Sequence, residues 1–262
     1  MESLTTSKFK GFTTFDLKII GIVLMFIDHI HQMFVPMGAP DWLDWFGRPV
    51  ATLFFFVSVV GFSHTRSKEK YMLRLYIGML IMTLGSFTLQ QIVGYEEVQL
   101  MNNIFRDLLV GTLMMYGIDK ISEGRSSKTF SKIVLGIVII LFPIISSGIL
   151  MLLMSNPSAI MVAVWGANVI PALLFTENSF MVLLIPLLYL AKNHRWLQCM
   201  LIALTAVFFF FQGSTQWMMI FAVLPIMLFN GEKGRGMKNF FYVFYPLHIW
   251  LLYLISAYVF MH

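Results

Sequence analysis

The sequence predicts an all-α, polytopic membrane protein in which residues 1–262 form one transmembrane domain, a bundle of about nine spanning helices. Three observations support this fold class. Hydrophobic residues make up 58% of the chain and charged residues 12%, whereas a soluble domain has about 25% charged residues. The mean hydropathy is +0.80. Apolar runs recur along the whole chain with short polar breaks, so roughly eight to ten spans of about 20 residues fit and a separate soluble domain does not.

Each predicted helix is an apolar run bounded by charged residues, glycine or proline. In chain order the runs are Thr14 to Val35, Pro49 to Phe62, Tyr71 to Val93, Ile104 to Ile118, Ile133 to Met154, Phe180 to Ala191, Leu197 to Phe211, Gln216 to Leu228 and Phe240 to Phe260. The second and sixth are short for a bilayer of about 30 Å, so their ends should extend into polar flanks or the protein is locally thin. The first resembles a secretory signal, but its length and its Asp/His/His interruption favour a retained helix.

One apolar segment, Ala159 to Phe175, is predicted to be re-entrant or to lie at the outer surface. If it spanned, the basic loop Lys192 to Arg195 would fall on the opposite side from the other basic loops. Residues that interrupt regular backbone lie in it or beside it, namely Pro157, Gly166, Asn168 and Pro171. Irregular backbone at membrane depth persists only where protein or a cavity satisfies its polar groups.

The charge pattern predicts a multi-pass protein of the cell membrane with a cytoplasmic N-terminus and an extracytoplasmic C-terminus. The net charge of +5 is concentrated in short loops, as the positive-inside rule expects, so a nucleic-acid partner is not expected. The basic segments are the N-terminal tail, Arg66 to Arg74, Lys120 to Lys132, Lys192 to Arg195 and Lys233 to Lys238. The single cysteine, Cys199, excludes an internal disulfide, and no metal-binding signature is present.

The most informative residues are Asp28 and His29, which lie side by side within the first apolar run. An ionisable group at mid-bilayer costs roughly 2.5 to 3.5 kcal/mol on insertion scales, so a helix that keeps such groups is expected to use them. Lys18, Met25, Asp28 and His29 should form a face that looks into the bundle. A histidine whose tautomer is fixed by a carboxylate is a usual general base. The alternative is a structural pair whose members satisfy one another or a neighbouring helix.

Other polar residues at helix ends are candidate binding groups. Arg48 begins the second helix on the same side as Asp28 and is placed either to pair with it or to snorkel to the interface. His64 and Arg74 belong to a cationic cluster that serves as a topology signal, a lipid contact or a site for a phosphate-bearing donor. The other three candidates are Asn103, Tyr245 and His248. Asn103 could instead be a helix N-cap. Tyr245 and His248 could instead belong to an aromatic belt at the membrane interface.

These residues together resemble the TraX family of membrane proteins, whose namesake is implicated in N-terminal acetylation of conjugative pilin. The family belongs to the multi-helix membrane acyltransferases, and the resemblance covers most of the chain. The matching residues are Asp16-Leu17-Lys18 with Met25, Asp28 and His29; Gly47-Arg48; Gly61-Phe62 with His64-Thr65-Arg66; Tyr71 and Arg74-Leu75; Asn103-Ile104-Phe105 with Gly111; and Tyr242, Phe244-Tyr245-Pro246 and His248.

Three positions depart from the family pattern. Val60 stands where the family often has glutamate, Thr52 where it often has proline, and Glu177-Asn178-Ser179 where Glu-Gly-Gly is expected. If that glutamate acts in catalysis, its absence at Val60 predicts a changed acceptor or a loss of activity.

The resemblance implies an acetyltransferase that uses cytoplasmic acetyl-CoA, with no tightly bound cofactor. Its acceptor would be an amine or hydroxyl on a protein, glycan or lipid at the outer face, in conjugation or fimbrial assembly. His29, oriented by Asp28, would act as general base or transient acyl carrier, while Arg48 and Tyr245 or His248 hold the acyl carbonyl or the acceptor. The donor phosphates would meet a set of cations: Arg66, Lys68, Lys70, Lys233, Arg235 and Lys238.

Two functions from other classes stay open on the sequence. In a proton-coupled small-solute transporter, Asp28, His29 and Arg48 would form a proton relay. In a non-catalytic assembly factor for a surface structure, the same polar residues would matter only through folding.

Overall fold

The structure is a computed structural model that describes residues 10–236 and 238–262. In the described part, the chain is all-α, as predicted, with no β-structure beyond one isolated bridge between Phe12 and Phe229. The helices are α1 Thr14–Phe34, α2 Val50–Ser63, α3 Lys68–Val93, α4 Ile104–Ser126, α5 Phe130–Met154, α6 Ile160–Val169, α7 Leu184–Leu190, α8 Arg195–Phe211, α9 Val223–Met227 and α10 Lys238–Met261. Short 3₁₀ segments join them at Val35–Met37, Asp41–Gly47, Leu173–Phe175, Ser179–Leu183 and Thr215–Ala222.

Five helical segments of the described chain are long and apolar enough to cross a membrane, which makes this a multi-pass membrane protein. They are Thr14–Met37, Asp41–Ser63, Lys68–Val93, Phe130–Met154 and Phe240–Met261. The 23 residues of α4 would extend about 34 Å, but this helix is more charged than the five. The remaining apolar helices are shorter, and two of those predicted as continuous spans are composites of 3₁₀ and α-helix, Ser179–Leu190 and Thr215–Met227.

Several helix ends differ from the predicted ones for local reasons. The second span begins at Asp41, because the 3₁₀ turn Asp41–Gly47 precedes α2. Helix α3 begins at Lys68, where the Ser67 hydroxyl caps it by accepting a hydrogen bond from the Lys70 N–H at 3.4 Å. Helix α4 continues past the predicted end to Ser126.

The segment predicted to be re-entrant is short and irregular. Helix α6 has 10 residues, about 15 Å in length, and cannot cross a hydrocarbon core of about 30 Å. The chain after it is pinned to its neighbours by polar contacts: the Ser147 hydroxyl accepts from the Leu174 N–H at 3.0 Å, and Arg106 donates to the Phe175 carbonyl at 2.8 Å. At these two positions, polar backbone groups of the irregular segment are satisfied by protein.

The buried core surrounds α2, which has little contact with the exterior. Leu53, Phe55, Phe56, Val59 and Phe62 are each exposed by 1% or less. Helices α3 and α5 instead leave many apolar side chains on the outside, which suits contact with lipid tails. This arrangement places the inner faces of α1, α2, α4 and α10 around two cavities.

Candidate functional site

One cavity of about 570 Å³ is basic, and we call it the basic cavity. It is bounded by the start of α1, the end of α2, the start of α3 and the segment before α10. Its described lining contains no aspartate or glutamate, and its cationic and histidine members are Lys18, His64, Arg74, Lys233 and Arg235. An unbalanced positive lining with low-dielectric walls concentrates anions.

The guanidinium of Arg74 is one of the cationic groups that line the basic cavity. Its Nε is buried and has no hydrogen-bond partner in the described chain. The Lys18 ammonium lies 4.8 Å from the centre of the Phe241 ring. Arg74 thus presents a donor that a bound phosphate or carboxylate would satisfy.

Three other predicted phosphate-binding residues lie away from this cavity. Arg66 and Lys70 are exposed and do not line it. Lys68 forms an ion pair with Asp119, whose other carboxylate oxygen accepts from the Tyr189 hydroxyl at 2.7 Å. The side chain of Lys238 lies outside the described residues.

A second cavity, of about 510 Å³, lies at the opposite end of α1, and we call it the acidic cavity. Its lining carries four carboxylates, those of Asp28, Asp44, Glu97 and Glu177, but only one arginine, Arg48. Two histidines, His29 and His31, also line it. The α1 face predicted to look into the bundle therefore lines both cavities, with Lys18 in the basic one and Asp28 and His29 in the acidic one.

Arg48 pairs with Asp44 rather than with Asp28, in contrast to the pairing considered from the sequence. The two residues are four apart and form an ion pair. Gln216 completes the arrangement, because its amide donates to the Arg48 carbonyl at 3.0 Å and accepts from the guanidinium at 3.4 Å. Sequence reasoning missed Asp44 and Gln216, for which only their polarity beside apolar runs was a signal.

The Asp28 carboxyl lies against the backbone of Gly47. A Cβ atom at Gly47 would overlap that carboxyl, so the close approach requires glycine. This explains why a glycine precedes Arg48 in the sequence. No hydrogen bond between Asp28 and His29 is found among the described residues.

His29 is instead held by His248 on α10, contrary to the expectation that Asp28 orients it. The Nδ1 atom of His29 lies 2.7 Å from the Nε2 atom of His248. The other ring nitrogen of His248, Nδ1, lies 2.7 Å from the Phe244 carbonyl oxygen. Both histidines are buried, with exposures of 3% and 5%. Two predicted site residues that are far apart in the sequence are thus joined directly.

The N-terminus of α4 is capped by Glu177 and Tyr245 and not by the side chain of Asn103. The Glu177 carboxylate accepts from the Asn103 N–H at 2.9 Å and from the Asn102 amide at 3.3 Å. The Tyr245 hydroxyl accepts from the Ile104 N–H at 3.0 Å. The Asn103 amide points away from the cavity lining and donates to the Met79 carbonyl at 3.1 Å.

The segment that carries Glu177 is held in place by hydrogen bonds to Asp107 on α4. The Asp107 carboxylate accepts from the N–H groups of Glu177 and Asn178 at 2.9 and 3.1 Å, and from the Asn178 amide at 2.7 Å. Surrounding protein removes water from much of the Glu177 carboxyl and raises its pKa above the ordinary value of 4.5, although part of its surface faces the cavity. Glu177 was noted in the sequence only as part of a family departure.

Met25, Ile104 and Tyr245 line both cavities, and we call these three residues the septum. They come from α1, α4 and α10, so the two cavities meet where the inner helices converge. Two residues of α2 differ from the family pattern: Val60 lines the basic cavity, and Thr52 is fully buried.

Fold and site together define a multi-pass helical membrane protein with two cavities, whose charged lining residues are mainly of opposite sign and which share a septum. The family model described as TraX protein matches residues 15–256, nearly the whole chain, so the protein belongs to the TraX family. No curated protein and no solved structure shows a significant match to it.

Proposed function

We propose that this protein is an integral membrane acetyltransferase of the cell membrane. It takes an acetyl group from acetyl-CoA and gives it to an amine on the other side of the membrane, on a pilin-like protein or another component of the cell envelope. The observation that carries the proposal is the pair of oppositely charged cavities that meet at the septum. A donor and an acceptor that enter from opposite ends would bring their reacting atoms together there.

The orientation follows from the loops around each cavity. The segments beside the basic cavity are rich in lysine and arginine, which the positive-inside rule assigns to the cytoplasm, where acetyl-CoA is made available. The acidic cavity then faces the outside. This orientation puts the N-terminus in the cytoplasm and the C-terminus outside.

The basic cavity is suited to an anionic donor. The phosphates of coenzyme A would meet His64, Arg74, Lys233 and Arg235 without a lining carboxylate to repel them. The apolar and aromatic residues deeper in the cavity would accommodate the pantetheine arm, with the thioester at the septum.

The acidic cavity is suited to an amine more than to a hydroxyl. Asp28 and Glu177 supply carboxylate oxygens, and the Oδ1 atom of Asn102 is buried without a hydrogen-bond partner in the described chain. An amine or ammonium group offers the N–H donors that such a set of acceptors needs, and its positive form is attracted by the net negative lining.

The reaction needs a base on the acceptor side. An ammonium that the cavity attracts first releases one proton to water outside the cavity. The neutral amine then attacks the thioester carbonyl, the C–N bond forms and the C–S bond breaks. One amine proton goes to His29 and then to the departing sulfur, which leaves as the free thiol, so amine and thioester become amide and thiol. Tyr245, at the septum, and Arg48 would hold the acyl carbonyl and the acceptor.

The first test is transfer of a radiolabelled acetyl group from acetyl-CoA by purified protein in lipid nanodiscs, with membrane extract as the acceptor source. We expect labelled acceptor or donor hydrolysis with the wild type and its loss in His29→Ala. His262→Gln, at the far end of α10, is the matched histidine control and should retain activity.

The donor site has its own pair of variants. Arg74→Gln should weaken binding of coenzyme A, whereas Lys70→Gln, on the same helix but exposed and outside the cavity lining, should not. A well-folded protein that neither binds nor turns over acetyl-CoA would refute the proposal. Flux of a small solute into proteoliposomes would then favour transport, and the absence of both would favour an assembly role.

A further inference from the structure

The two histidines that meet beside the septum form a chain of hydrogen bonds with a defined direction. It runs from the Phe244 carbonyl to Nδ1 of His248 at 2.7 Å, and from Nε2 of His248 to Nδ1 of His29 at 2.7 Å. The imidazole rings are nearly parallel, at 18° with centroids 5.0 Å apart. The Phe244 ring stacks on His248 at 4.6 Å and 13°, which restricts rotation of that imidazole.

The carbonyl at one end of the chain determines where the protons lie. A carbonyl oxygen can only accept, so Nδ1 of His248 carries a proton. In a neutral imidazole the other nitrogen is then an acceptor, and Nε2 of His248 must accept from Nδ1 of His29. His29 therefore carries its own proton on Nδ1, which leaves the lone pair on Nε2.

We infer that His248 is a positioning residue that fixes the tautomer of His29 and makes Nε2 of His29 the proton acceptor of the acidic cavity. His29 lines that cavity and its Nδ1 is bonded to His248, which leaves Nε2 as the ring nitrogen that remains for a substrate. Asp28, the adjacent residue, does not make this contact. The assignment of the tautomer rests on this geometry and on neutral imidazole rings, whereas its catalytic consequence rests on the proposed function.

The consequence for the proposed transfer is a base that needs no change of tautomer during the reaction. When the C–N bond forms, Nε2 of His29 takes the amine proton and His29 becomes an imidazolium. Its Nδ1–H remains donated to His248, which stabilises the positive charge. The proton then leaves from Nε2 to the sulfur of the broken thioester, and His29 returns to its starting tautomer.

The test uses ¹⁵N NMR of protein labelled at histidine, in nanodiscs, with the His29 signals assigned by their absence in His29→Gln. Protonated and unprotonated ring nitrogens have well-separated shifts, so the tautomer is read without any substrate. We expect Nδ1 of His29 to carry the proton in the wild type. A wild-type spectrum in which Nε2 of His29 carries it would overturn the inference, whether or not any variant folds.

Two variants distinguish the role of His248 as a hydrogen-bond acceptor for His29 from the role of its ring in packing. His248→Gln can place an amide oxygen near the position of Nε2 and should preserve the His29 tautomer, whereas His248→Phe keeps a planar ring without an acceptor and should lose it. His262→Gln is the matched control, because His262 also bonds a carbonyl four residues earlier, that of Tyr258 at 3.1 Å, but at the exposed end of α10.

Acetyl transfer gives a second, independent readout. His248→Phe should lose much of the roughly 10²- to 10⁴-fold that general acid–base catalysis contributes, with His248→Gln intermediate and His262→Gln unchanged. If the wild-type tautomer is found as expected but no variant or wild-type protein transfers acetyl groups, the proposed function fails and the positioning role of His248 stands. An unchanged tautomer in His248→Phe would count against that role.

Discussion

Tyr245 is the residue through which stability and the proposed chemistry can be tested together. Its hydroxyl accepts a hydrogen bond from the Ile104 N–H at 3.0 Å, and it lines both cavities. The Tyr245→Phe substitution removes that hydroxyl and leaves the ring. Tyr253 is a matched control on the same helix, because its buried hydroxyl donates to the Tyr95 carbonyl at 2.9 Å and it lines neither cavity.

The expected loss of stability in each variant depends on which backbone group loses its hydrogen-bond partner. In Tyr245→Phe a backbone N–H at the start of α4 loses its acceptor in a buried position, which costs about 1–3 kcal/mol. The 3.5 Å contact from the same hydroxyl to Glu177 is at the limit of a hydrogen bond and adds little. In Tyr253→Phe the Tyr95 carbonyl loses one donor, with a cost of about 0.5–1.5 kcal/mol.

The assay is denaturant-induced unfolding in mixed micelles, followed on the same samples by acetyl transfer. We expect both variants to be destabilised, Tyr245→Phe by more, and only Tyr245→Phe to lose transfer. A Tyr245→Phe protein as stable as the wild type would refute the assigned hydrogen bond to α4. Equal transfer by the two variants would refute a role for Tyr245 at the septum.

Two further predictions concern the acidic cavity. Gly47→Ala should destabilise the protein by about 1–3 kcal/mol and displace the Asp28 carboxyl. The control is Gly148→Ala, where a Cβ would meet nothing within 4 Å, and it should be neutral or slightly stabilising. Equal free energies of unfolding for the two variants would contradict this prediction. Because the raised pKa of Glu177 means that the folded state holds its proton to higher pH than the unfolded chain, stability should fall as pH rises above 4.5, and Glu177→Gln should reduce that fall. If the free energies of unfolding of Glu177→Gln and the wild type change with pH in parallel, the Glu177 carboxyl is not the source of the pH dependence.

The sequence predicted some features of the site correctly and others not, and the difference depends on distance along the chain. The inward face of α1 follows from helical periodicity, which is a local property. The assumption that Asp28 orients His29 was wrong about the contact, because successive residues on a helix are about 100° apart and point to different neighbours. The partner that His29 does have, His248, is 219 residues away.

The cap of α4 shows the same limit. Asn103 is a suitable N-cap by residue type, and a local rule selects it. In the structure, Glu177, which lies 74 residues later, accepts from the backbone N–H of Asn103 itself, and the Asn103 side chain bonds α3 instead of capping α4. No pattern near Glu177 in the sequence announces this role, because a single acidic residue between apolar runs is equally typical of an exposed loop.

Composition and periodicity alone determined the class of protein, the order of its helices and the α1 face that carries Asp28 and His29, because burial in lipid and the backbone's need for internal hydrogen bonds act on every stretch of chain. Tertiary structure decided the rest: which cations surround the basic cavity, that Arg48 pairs with Asp44, and that His248 and Glu177 complete the site. Those pairings arise from how the helices pack against one another, and packing joins residues that no local pattern relates.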